Sequence, residues 1–159
     1  MNIFTEIQQS GLSTWIRESP SLFAYPTFLF LHTVGLGLLV GPSMAIDLRI
    51  LGFGRATALI PMNKFFRVIA VGFWISLISG SALWIADAET WSKDLVFYIK
   101  MGFIVFGMLH LQLIRRRIFS NPDVDENNLP TFGKMLAVGS LVVWVGAITA
   151  GRLTAYIGK

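Results

Sequence analysis

His32 and His110 are the whole histidine content of this 159-residue chain, and both fall inside long apolar stretches rather than in hydrophilic connections. An imidazole in hydrocarbon is costly unless it is paired or ligating, so ionisable residues inside membrane helices mark ligands, relays or pathways. A neutral imidazole binds a metal through one ring nitrogen while an acceptor holds the other. Cysteine is absent, which removes thiolate ligands, disulfides, iron–sulfur clusters and covalent haem attachment through CxxCH. Two imidazoles without an obvious third ligand make a weak zinc site. Asp47 and Asp87 stand at the ends of apolar stretches and none has an Asp or Glu at its centre, so a conduction route lacks residues. Walker, GxSxG and dinucleotide motifs are missing, and GFGRA at Gly52 to Ala56 reads as a turn.

The neighbours of the histidines extend the pattern. Gly35 follows His32 by three residues and Gly107 precedes His110 by three, so each imidazole has a backbone-only position on its own helical face. Tyr25, Phe28 and Leu36 share the first face, and Phe103, Phe106 and Ile114 the second, as an apolar wall for a flat ligand. Lys100 lies toward one end of these stretches, and Arg49, Arg67 and Arg115 toward the other.

The elements that must position these residues follow from composition. Hydrophobic residues make up 54% of the chain and charged ones 14%, against about 25% charged in soluble domains. Lipid is the expected solvent. A span needs roughly 20 apolar residues, and four fit, at about residues 22–45, 68–86, 95–114 and 132–150, the first open to continuation past Pro42 as far as Leu51 with a kink. The expected fold is an all-α integral membrane four-helix up-and-down bundle, residues 20–159, preceded by an amphipathic interfacial helix at 1–19. In that segment Ile3, Phe4, Ile7, Leu12, Trp15 and Ile16 recur at helical spacing, with Gly11 inviting a break.

Eight basic residues (Arg49, Arg55, Lys64, Arg67, Arg115, Arg116, Arg117 and Lys134) lie on one side of these spans and five (Arg17, Lys93, Lys100, Arg152 and Lys159) on the other. The positive-inside rule makes the first side cytoplasmic and places both termini outside. The net charge of +4 therefore serves orientation and anionic lipid, and no nucleic-acid partner is expected. Gly37 and Gly41 form GxxxG, Gly72, Ser76 and Gly80 recur every four residues, and Gly139 and Gly146 are a heptad apart, as in helices that pack closely in lipid.

Counted at about 1.5 Å per residue from Leu22 and Leu95, His32 lies roughly 15 Å and His110 roughly 22 Å from one boundary, a gap that tilt can absorb. The first and third spans run parallel and are diagonal in an up-and-down bundle, where cofactors are held. This pair of histidines with adjacent glycines and aromatics resembles the haem sites of membrane b-type cytochromes. The segments LHTVGLGLLVG and DLRILG, the latter at Asp47 to Gly52, resemble a family of uncharacterised bacterial four-helix inner-membrane proteins. The resemblance implies one haem b with His32 and His110 as axial ligands, a pocket from Gly35, Gly107, Phe28, Phe103 and Phe106, and Lys100 at a propionate. It implies electron transfer in a bacterial inner membrane, with a redox protein or quinone as partner and both termini periplasmic. Two other readings stay open: an assembly or structural subunit, as homo-oligomer or in a larger complex, and a small transporter or metal-binding membrane protein.

Overall fold

The computed structural model describes residues 3–121 and 129–157, with side chains as far as residue 153; within these every regular element is a helix. Two short helices, α1 (Ile3–Gln8) and α2 (Gly11–Glu18), precede α3 (Tyr25–Ile50). A 3-10 turn at Ile60–Lys64 leads into α4 (Phe65–Ala86), and α5 (Ala88–Lys93) joins it to α6 (Leu95–Ile114). The last helix is α7 (Thr131–Ile157). Four stretches are long and apolar enough to cross a membrane: Tyr25–Ile50, Ile60–Ala86, Leu95–Phe119 and Thr131–Leu153. Phe30, Trp74, Ile78, Val105, Met135 and Val142 cover the outside. Such a surface suits lipid, because each span satisfies its own backbone internally. The central part of the connection before α7, and Lys159, lie outside the described residues.

Three spans run past the ends at residues 45, 114 and 150, the last of them as α7 to Ile157. The first continues past Pro42 to Ile50, in line with the longer reading to Leu51, and Ser43, beside the proline, donates its hydroxyl to Leu39 O. Arg49 stays helical and buried because its Nε donates to Thr57 O across the turn that follows. That turn is the GFGRA segment, with Gly52 at φ 99° and Gly54 at φ 64°, a left-handed region that glycine enters without a Cβ penalty. The third span was expected to stop at Arg115, yet helical winding continues as a π turn over Arg115–Phe119. Arg115 is accommodated there over the Phe66 ring, 5.5 Å from its centroid.

The spans pack as two antiparallel pairs, α3 with α4 and α6 with α7, joined by α3 against α7. Their order in space is therefore second, first, fourth, third, with the first and third diagonal. A single apolar core joins the pairs at one end, called here the basic end after its arginines and lysines. It takes in Leu39, Val40, Ile46 and Ile50 of α3, Ile69 of α4, Leu111 and Ile114 of α6, and Leu136, Ala137, Trp144 and Ala147 of α7. None of its members on the spans lies outward of Leu39, Phe73, Phe103 or Ala147. The other half, the termini end, is held pairwise.

At the termini end the N-terminal helices sit on the α4–α5 corner. Ser13 Oγ donates to Ala86 O at 3.3 Å, Glu89 N donates to Gln8 Oε1 at 2.9 Å, and Phe4 meets Trp84 edge to face. The break between α1 and α2 falls at Gln9 and Ser10, where the Ser10 hydroxyl caps α2 by accepting from Ser13 N. Lys93 donates to Glu89 Oε1 at 2.8 Å, and this bond and charge hold the Glu89 carboxyl below its ordinary range, with Thr5 adding a weaker bond. A depressed folded-state pKa stabilises above the unfolded value, and the effect is lost as pH falls through the folded one. Acidification through the carboxylate range should loosen α1 from α5 slightly, read as faster proteolysis within residues 3–10; unchanged protection would show that Glu89 does not anchor α1.

Candidate functional site

The first pair of spans meets on a seam of small residues. A Cβ on Gly72 would stand 2.6 Å from Leu39 N and 2.8 Å from Gly35 O, and one on Gly35 would stand 2.6 Å from Ser76 Oγ. Gly35 therefore makes room for α4, not for a ligand. One turn outward the seam opens just enough for an imidazole: His32 lies against Gly80, where a Cβ would come within 2.9 Å of the ring Cε1. His32 Nδ1 donates to Ser76 O at 3.0 Å, with Ser79 Oγ at 3.4 Å. A carbonyl only accepts, so Nδ1 carries the proton and the lone pair of the neutral ring is at Nε2. Phe28, with Leu31, Ile75, Ile78 and Ser79, lines an apolar cleft of about 160 Å³ beside it.

The second pair repeats the device. His110 Nδ1 donates to Phe106 O of its own helix at 2.8 Å, and its Nε2 faces Gly139, whose Cβ would stand 2.9 Å away. Gly107 gives its space to Trp144 and Gly146 gives its space to Phe103. The expected pocket residues Gly107 and Phe103 thus serve the α6–α7 contact. Phe106 is 58% exposed on the outer surface and reaches His110 through its carbonyl alone.

Depth separates the two imidazoles. His110 packs against Gly139, and the next residue of α7, Ser140, faces Asp47 of α3. From Asp47 back to His32 is 15 residues of the same helix, about 22 Å at the rise of an α-helix. Nitrogens that share one iron must come within a few ångström of each other, and tilt does not close a gap of this size. The expected clamp of His32 and His110 on a single haem does not fit this fold. The diagonal placement of the first and third spans holds; the equal depth does not.

Lys100, in contrast, does approach His32. It is half-buried on α6, its stem lies along Gly151 at 3.6 Å from where a Cβ would be, and its ammonium bears electrostatically on the imidazole. Among the described residues no hydrogen bond or ion pair is made by Lys100, the ion pairs being Arg17 with Glu18 and Lys93 with Glu89. The termini end thus gathers a tethered imidazole with a free Nε2 and a half-buried cation without a carboxylate, in the half of the bundle that lacks a shared core. Among the described residues no three His, Cys, Asp or Glu side chains gather as a metal site.

Sequence reasoning missed Asp47 as an interior group. It is fully buried, and the signal was available: no Gly, Pro or Asn follows Pro42 until Gly52, so the helix carries Asp47 inward one turn after Ser43. Compared with protein-family profiles, curated proteins and solved structures, the chain matches none.

Proposed function

We propose that the protein is a membrane haem protein of the b type that carries electrons, with one haem b in the termini half bound through His32 alone. The observation that carries this reading is the tautomer imposed on His32: the Ser76 carbonyl takes the Nδ1 proton and leaves Nε2 as a ligand with fixed orientation. Lys100 supports it, because a cation withdrawn from water calls for an anion, and a haem brings two propionates. Haem supplies one-electron chemistry when bound; the chain's part is to orient the ligand imidazole, to offset propionate charge and to keep water out. His32 would be the one protein ligand of the haem, unlike the two-imidazole arrangement. The charge distribution along the sequence favours a bacterial inner membrane with the site on the periplasmic side, and a redox protein or a quinone as partner.

Purified in mild detergent after expression with ample haem, the protein should show a Soret band with a haem content near one per chain. Absence of that band would overturn the reading.

A second reading, an assembly subunit, is favoured by Gly37 and Gly41. A Cβ on either would meet nothing within 4 Å, so this GxxxG face of α3 is free for a helix from another chain. Native mass in mild detergent separates the readings: a lone monomer with bound haem argues against assembly, and a larger complex abolished by Gly37→Leu with Gly41→Leu argues for it.

A further inference from the structure

Asp47 is enclosed completely, and neither carboxylate oxygen has a hydrogen-bond partner. Across the α3–α7 interface it faces Ser140, which is equally enclosed and whose hydroxyl also lacks a partner of good geometry. Ser43, one turn away on the same face, gives its hydroxyl to Leu39 O and has no proton to offer. The charged and titratable groups of the surrounding elements are engaged elsewhere or exposed. On α3, Arg49 donates to Thr57 O, and residues two apart do not share a helix face. Lys64 of the 3-10 turn, Arg67 of α4 and Lys134 of α7 are exposed. In the π turn after α6 Arg115 lies over Phe66, and on α6 His110 packs against Gly139. Among the described residues no ion pair involves Asp47.

A bare carboxylate at such a place has neither water nor a counter-charge, and buried groups of this kind neutralise instead. A proton is the smallest counter-ion, and it converts an acceptor-only group into one with a donor, which the Ser140 oxygen can accept. We propose that Asp47 is a proton-binding site within the membrane: at neutral pH its carboxyl holds an exchangeable proton and donates it to the Ser140 hydroxyl. Asp47 lies three residues from the end of α3, about 4.5 Å of helix, so the basic end is the nearer source of the proton. The step is a simple protonation, carboxylate plus a proton from water giving the neutral acid, and needs no other reactant. Nothing in it depends on haem.

Infrared spectroscopy of the protein in lipid nanodiscs at neutral pH tests this. The wild-type protein should show the carbonyl stretch of a protonated carboxylic acid, shifted by 13C-aspartate labelling and, to a smaller extent, by D2O. The band should vanish in Asp47→Asn and persist in Asp94→Asn. The labelled wild-type spectrum decides even if Asp47→Asn does not fold: with no protonated aspartate band, the proposal is wrong. A band that persists in Asp47→Asn overturns it too, as does one that appears only when sodium is replaced by a bulky organic cation, since a metal cation would then be the resident.

Discussion

Gly72→Leu should drive α3 and α4 apart and leave little folded protein, while Gly41→Ala should change stability by no more than about 0.5 kcal/mol. The contrast follows from what each Cβ would meet. At Gly72 the opposing atoms are backbone, Leu39 N at 2.6 Å, Leu38 C at 2.7 Å and Gly35 O at 2.8 Å, and at Gly41 there is nothing within 4 Å. Overpacking in a core costs about 1–3 kcal/mol when side chains can move aside. Backbone of a neighbouring helix cannot move without displacing the whole span, so Gly72→Leu belongs at or beyond the top of that range. Tryptophan fluorescence during titration with a denaturing detergent would measure both variants. A Gly72→Leu protein as stable as Gly41→Ala would mean that the small-residue seam does not hold the first pair together.

The second large effect concerns His32. His32→Ala should reduce bound haem to background, and Gly80→Val should reduce it strongly without touching the imidazole, because the new side chain takes the space of the ring where even a Cβ would lie 2.9 Å from Cε1. Ser79→Ala should do less, since Ser79 Oγ is 3.4 Å from Nδ1 and already donates to Ile75 O, while the Ser76 carbonyl remains. Haem content per chain, from absorbance against protein concentration, measures each. Full occupancy in Gly80→Val would detach the ligand role from the orientation described here.

The four spans could be read from the chain because hydrocarbon demands long apolar runs, and VIAVGFWISLISGSALWIA admits no other interpretation. Their ends were harder. Asp47, Arg49 and Arg115 look like residues that close a span, yet the helix continues wherever such a group finds a partner, as Arg49 does at Thr57 O and Arg115 does at Phe66. The relative depth of His32 and His110 was not available from sequence at all. Periodicity places a residue on a face of its own helix, but the sliding register between helices is set by contacts such as Gly35 with Ser76 and Gly107 with Trp144. From sequence, the glycines near both histidines read as space for a flat ligand. They do give space, and neighbouring helices occupy it. Lys100 was placed near a boundary by its position alone, and its approach to His32 depends on two spans that no local pattern links.

The most direct test is a pair of absorbance spectra, taken from His32→Ala and His110→Ala proteins prepared identically with excess haem. A site built on His32 in the termini half predicts that the Soret band is lost in the first and kept in the second. Loss of the band in both would restore a shared clamp and contradict the depths of the two imidazoles, and retention in both would remove histidine from haem binding.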